Sequence, residues 1–298
     1  MGQHNDTMNC QRTMFNEKGD NGLLICGSHV PPELLTEIFC RAEPKSLLNC
    51  QLVCKRWKIL IQSYVWRKKA EMTAGKLLPR HEEIPWQAFY HMCKKKPFER
   101  NLLRNHSGQD GKRHWHVICE NGDRWAVEKP PIGVPELPSE PVFEGGQVCF
   151  ATSYKSCIKQ QVIDMVAEGF HPCFLDVVQP PIMVSEWYSS RWDCPAIYEC
   201  HVRLLGGIDD CTQKQTILDE FRYRDTMENE RQNQWHFVSH VFENYGCGLR
   251  KINFMHGGMD KSYWAGHYGS KMAGACISVK VPQVQYDYDD ELDPFLNE

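Results

Sequence analysis

Apolar residues recur at helical spacing between Pro31 and Trp66 and at a period of two beyond about Arg100, so one chain carries two incompatible ways of building a core. Leu34, Leu35, Ile38 and Phe39 follow Pro31-Pro32, where a missing N–H costs nothing at a helix start. After the turn at Pro44, Ser46 is placed to cap a second helix, and Leu48, Leu52, Trp57 and Ile61 extend an apolar stripe to Trp66. The chain of 298 residues has room for about two cores. The first is a helical unit of roughly 45 residues, near the lower limit for folding alone.

The second module reads as β structure. Residues 197–204 alternate, with Tyr198, Cys200, Val202 and Leu204 inward and Glu199, His201 and Arg203 outward. Across 276–281 the inward set is Ile277, Val279 and Val281. Further strands are expected at 162–165, 182–184, 235–242 and 249–254, and short antiparallel strands at this spacing predict a two-sheet sandwich. Between the modules, Pro85 suits the first position of a helix carrying Trp86, Phe89, Tyr90 and Cys93, which ends in Lys94-Lys95-Lys96 before Pro97. The lysines are read as a solvated face. Pro130, Pro131, Pro135, Pro138 and Pro141 exclude a central strand or helix and predict a surface loop over 130–147.

Composition narrows the function classes. A net charge of -4 gives no strong field for nucleic acid or an acidic membrane. Residues 1–27 lack periodicity and read as a mobile leader. Leu23-Leu24-Ile25-Cys26 is too short for a signal or a membrane span, so a cytoplasmic protein without membrane insertion is expected. The fifteen cysteines show no Cys-x-x-Cys and are read as reduced thiols. Cys50 and Cys54, the nearest approach, are assigned to a helical pattern, and neither a structural zinc nor a cofactor is expected. His114 and His116 are expected on one strand face with no third ligand, and neither a Gly-Lys-Ser/Thr phosphate loop nor a Gly-x-Ser-x-Gly elbow is present. A non-catalytic protein is therefore expected. Asp287, Asp289, Asp290, Glu291 and Asp293 predict a solvated acidic tail.

Two runs carry a resemblance. Val30-Pro31-Pro32-Glu33-Leu34-Leu35-Thr36-Glu37-Ile38-Phe39, Leu47-Leu48-Asn49-Cys50-Gln51-Leu52-Val53-Cys54-Lys55-Arg56-Trp57 and the later Trp66 resemble the F-box motif. The resemblance implies a three-helix hook whose Pro31, Pro32, Leu34, Leu35, Ile38, Leu48, Leu52 and Trp57 bind the small adaptor of SCF-type ubiquitin ligases, of the S-phase kinase-associated protein type. Through it, a cullin-RING ligase is an implied partner.

Residues 98–281 are similar to the F-box-associated domain of the sugar-recognising F-box proteins. The likeness runs through Asn101-Leu102-Leu103-Arg104-Asn105, Trp125-Ala126-Val127-Glu128, Phe150-Ala151-Thr152-Ser153-Tyr154, Glu186-Trp187-Tyr188-Ser189, His256-Gly257-Gly258 and Tyr263-Trp264-Ala265-Gly266-His267-Tyr268-Gly269. It implies that loops at one end of the sandwich grip the inner chitobiose of a high-mannose N-glycan. The residues that carry over are Tyr154, Asp193, Tyr263 and Trp264. Aromatic faces suit the C–H face of a sugar ring and a carboxylate suits its hydroxyls. Ala265 stands where some relatives have Lys, and Gly274-Ala275-Cys276 replaces an Asn-Ser-Ser stretch. Weaker binding or an altered sugar choice follows as an expectation. Tyr263-Trp264, between His256-Gly257-Gly258 and Gly266, is expected on an exposed loop tip.

The expected layout is multidomain, α followed by all-β: a leader (1–27), a three-helix F-box (28–75), a helical linker (76–97), an antiparallel β-sandwich of jelly-roll-like, galactose-binding-like type (98–283) and an acidic tail (284–298). The implied function is a substrate receptor of an SCF-type ligase that recruits N-glycosylated, misfolded, retrotranslocated proteins for proteasomal degradation. The alternative is a receptor whose sandwich binds a protein surface without sugar.

Overall fold

The computed structural model describes residues 22–208 and 215–283 and divides into two units, 1–69 and 70–298. The acidic tail and most of the leader, 1–21, lie outside the described residues. The described end of the leader is a hairpin, β1 (Leu24–Ile25) paired with β2 (Ser28–His29). It is structured because it has partners: Leu23 is buried, and Trp57 Nε1 donates to Gly22 O at 2.6 Å.

In the first unit α1 (Pro32–Arg41) starts on its proline, as expected. The second helix, α2 (Pro44–Cys50), starts earlier than expected: Pro44 follows an extended Glu43 (ψ 147), so Ser46 lies inside the helix and caps nothing. Cys54 is the N-cap of α3 (Lys55–Leu60), its Sγ accepting from Trp57 N at 3.5 Å. Cys50 and Cys54 therefore flank a turn and do not share a helix, and the expected apolar stripe is interrupted where Leu52 and Val53 face solvent. From α3 the chain continues through one π-helical turn, Ile61–Val65, into α4 (Trp66–Ala74). Leu35, Phe39, Leu47, Ile61 and Val65 are buried, and Phe39 meets the Trp57 ring edge-on at 5.0 Å.

In the second unit α5 (Trp86–Lys95) buries Ala88, Phe89, Met92 and Cys93 and closes on Lys96 in the left-handed region. The rest of the expected helical linker, 76–85, has no helix, as Pro79 and Pro85 disfavour one. The strands are β3 (His116–Glu120), β4 (Ala126–Glu128), β5 (Cys149–Ala151), β6 (Cys157–Asp164), β7 (Ile182–Ser189), β8 (Ala196–Ile208), β9 (Gln215–Met227), β10 (His236–Phe242), β11 (Lys251–Asp260) and β12 (Lys271–Val279). They form two five-stranded antiparallel sheets, ordered β10-β7-β12-β5-β4 and β3-β6-β11-β8-β9. The core between them includes Phe150, Ile163, Val184, Tyr198, Val202, Leu204, Ile252, Phe254, Ile277 and Val279.

Two strand expectations and one loop expectation need correction. The 162–165 strand stops at Asp164, whose carboxylate accepts from Ala167 N at 3.0 Å and opens α6 (Met165–Glu168), followed by α7 (Pro172–Val178). His114 is not in a strand with His116: it lies in a turn at φ 70, closed by Trp115 N to Lys112 O, and only His116 enters β3. The 130–147 segment is a loop, as expected, but it is not merely a surface one. Leu137 and Phe143 pack on Cys149 and Ala273, flanked by Trp187 and Trp235, which covers the outer face of β12 and buries both its faces. This packing also accounts for Gly274: at φ +67, a Cβ there would lie 2.9 Å from the Phe143 ring.

Candidate functional site

The expected adaptor residues separate by burial. On α1, Leu35 and Phe39 point into the unit, while Leu34 and Ile38, one helical turn apart, are 58% and 54% exposed. Pro31, Pro32 and Leu52 are also exposed, and Leu48 and Trp57 are half-buried. Leu35 is fully buried, so its expected place among the adaptor-binding side chains is corrected: it belongs to the core of this unit. The result is an amphipathic helix with two apolar stripes, one used by the core and one unpartnered among the described residues.

At one end of the sandwich four connections converge: β3 to β4, β5 to β6, β7 to β8 and β11 to β12. The pairings Asp260 with Ala196 and Lys271 with Ser189 and Ala151 bring them together. Gly257 and Gly258, expected to bound the loop, instead lie inside β11. A Cβ there would collide with Cys157 O or Ile197 O, because strands press on both sides. The loop itself is 261–270. Its first turn is held by Asp260, which is fully buried and accepts from Tyr263 N at 2.5 Å, with Tyr263 at φ 56. Burial pushes the Asp260 carboxyl up. A left-handed aromatic residue is strained, and the turn presents Tyr263 and Trp264 at 66% and 45% exposure.

Two residues not singled out from the sequence connect those that were. Arg191 grips Asp193 through two bonds of 2.8 Å, holding that carboxyl below its usual range, and its guanidinium lies 4.4 Å from the Tyr268 ring centroid. Tyr268 in turn meets Trp264 edge-on at 5.5 Å. Asp193 and Trp264 are thus joined as Asp193–Arg191–Tyr268–Trp264. Tyr154 is half-buried at the same end, its ring about 3.0 Å from where a Gly122 Cβ would lie. The neighbouring Ser153 donates to Gly266 O at 3.0 Å, and Asp123 accepts from Gly266 N at 2.5 Å. The Arg-x-Asp spacing on a loop was the available signal for Arg191. Tyr268 had none apart from its place in the final aromatic block.

A second polar cluster is sealed in the core. His256 Nδ1 lies 2.7 Å from Glu186 Oε1, Tyr198 donates to Glu186 Oε2 at 2.5 Å, and the Trp115 ring stacks on His256 at 4.5 Å. Lys159 Nζ sits 3.5 Å from the ring centroids of both Trp125 and Phe150. Burial pushes the Glu186 carboxyl up to about 8 and His256 well below its usual value. The cluster's Glu186 and His256 side chains are fully buried, which suits a structural network and not a ligand site. Among the described residues no group of three or more metal-capable side chains comes together, and no helix is long and apolar enough to cross a membrane. All thirteen described cysteines are free.

Comparison with known proteins adds two family matches: residues 93–279 match the family described as F-box associated region, and 28–71 match the F-box-like family. F-box only protein 27 of Mus musculus is 34% identical over 271 residues, covering 86% of this chain and 91% of that protein. F-box only protein 17 of Homo sapiens is 34% identical over 268 residues, covering 85% and 92%. Among solved structures, a Family 16 Carbohydrate Binding Module-2 is 14% identical, covers 59% of this chain and 99% of that one, and has a TM-score of 0.36.

Proposed function

Because the chain belongs to the F-box only proteins that carry an F-box associated region, we propose that it is a substrate-recognition subunit of an SCF-type ubiquitin ligase that captures N-glycosylated proteins through the loop end of its sandwich. In this reading residues 28–75 dock the adaptor, 76–97 connect, and 98–283 hold the substrate. The clients are misfolded glycoproteins returned to the cytoplasm, and the ubiquitin chemistry belongs to the partner enzymes.

The observation that supports sugar recognition is the braced aromatic pair. Trp264 is exposed yet held by Tyr268, which is backed by the Arg191–Asp193 pair. A fixed indole face matches the apolar face of a sugar ring, and Asp193 at the same end of the sandwich keeps acceptor lone pairs beyond its two bonds to Arg191. Ala265 leaves the adjoining position without a cation.

Trp264→Ala tests this. Loss of one such anchor should weaken binding to a chitobiose-bearing glycan by ~1–3 kcal/mol, roughly 5- to 150-fold by titration calorimetry. Thermal stability should barely change, since the side chain is not part of the core. Unchanged glycan affinity in the folded variant would move recognition to a protein surface without sugar.

A further inference from the structure

Beside the braced aromatic pair lies apolar surface that the sugar contacts do not use. Trp192 is 66% exposed and Ile132 57%. Their backbone segments are joined: Trp192 N donates to Gly133 O at 3.1 Å. Gly133 stands at φ +71 against Arg191, whose Cζ would lie 2.8 Å from any Cβ there. Gln232 Nε2 donates to Arg191 O at 2.9 Å and to Trp192 O at 3.4 Å. A large indole carried in solvent on a backbone held this firmly needs a reason.

The side chains around Trp192 decide between occupants. Arg191 spends Nε and Nη2 on Asp193 and its face on Tyr268, and Gln232 Oε1 already accepts from Asn229 N. With most of these groups engaged, Trp192 offers chiefly apolar surface, which an apolar side chain matches without a polar partner. Covalent geometry supplies such side chains. Loops that hold the innermost sugar of an N-glycan have the polypeptide only one side-chain amide away.

Resting on the glycan reading above, we propose that Trp192 and Ile132 form a docking ledge for apolar side chains flanking the glycosylated Asn of the client. The receptor then reads sugar and polypeptide together and favours a glycan displayed on an extended, apolar segment.

The test uses the full chain and three probes: free chitobiose, an Asn-linked chitobiose glycopeptide flanked by Leu and Val, and the same glycopeptide flanked by Ser and Gly. The parent should bind the apolar glycopeptide about five- to tenfold tighter than the polar one. Trp192→Ser combined with Ile132→Ser should erase that difference and leave free chitobiose unchanged. Equal parent affinity for the two glycopeptides would overturn the ledge alone, as would a variant that loses free chitobiose to the same degree. A parent that binds none of the three probes would remove the glycan reading and the ledge together.

Discussion

Replacing Leu34 and Ile38 together by aspartate should abolish co-purification of the adaptor while the chain stays folded. Both side chains are more than half exposed on α1, and the buried stripe of the same helix, Leu35 and Phe39, is untouched. The folded chain should lose no more than about 1 kcal/mol, about 0.5 for each of the two surface changes. At an interface the same two side chains count differently. Burying each is worth about 1.5–3 kcal/mol, and an aspartate in its place must also be desolvated. A combined loss on the order of 4 kcal/mol is about a thousandfold in affinity, enough to lose the complex in a pull-down. Adaptor retained at parental levels would remove the docking assignment of this stripe.

Glu186→Ala should destabilise the second unit by about 3–5 kcal/mol, since it opens a cavity and strips the hydrogen-bond partner from two buried groups, His256 Nδ1 and Tyr198 OH. Glu186→Gln should cost far less. With its carboxyl at about 8, Glu186 carries its proton at neutral pH and can donate to His256 Nδ1 while accepting from Tyr198, which a Gln amide also does. The pH dependence gives the sign. Between the usual value of 4.5 and about 8 the folded state holds a proton that the unfolded state has lost, so the Glu186 contribution to stability falls as pH rises through that window. His256 acts oppositely: below 6.5 the unfolded state takes up a proton that the folded state refuses, so stability falls with acid. Buried Lys159, also lowered by burial, is common to both proteins. The parent minus Gln difference reports Glu186 together with its coupling to Lys159, whose pKa the Glu186 charge raises. Between pH 6.5 and 8 it should shift against the parent by up to about 1.4 kcal/mol per unit in denaturant melts. A difference flat with pH would mean that Glu186 is ionised throughout.

Which parts of this were legible follows from range in the chain. Local signals translated well: the proline start of α1, and the inward Tyr198, Cys200, Val202 and Leu204 of β8, depend on neighbours close in sequence. Misplaced features depend on distant partners. Ser46 lost its cap role to Pro44, the 22–29 hairpin is ordered through Trp57, and β12 is buried on both faces because Phe143 folds over Gly274. The same holds for the Gly274-Ala275-Cys276 departure: Gly274 N bonds Ser107 Oγ under Phe143, which gives it a packing reason. At the site, exposed aromatics were visible in the final motif, but the chain from Asp193 through Arg191 and Tyr268 to Trp264 joins two loops some 70 residues apart and becomes visible only in three dimensions. Burial of Leu35 beneath Leu34 and Ile38 was equally hidden, since helical spacing alone does not say which of two stripes faces the core.

The most direct test of the central claim is capture of the full chain, together with its adaptor, by a denatured high-mannose glycoprotein on beads, before and after enzymatic removal of the N-glycan. Capture should depend on the glycan and be displaced by free chitobiose. Capture that survives glycan removal, or that chitobiose does not displace, would contradict sugar recognition and leave a receptor that reads protein surface alone.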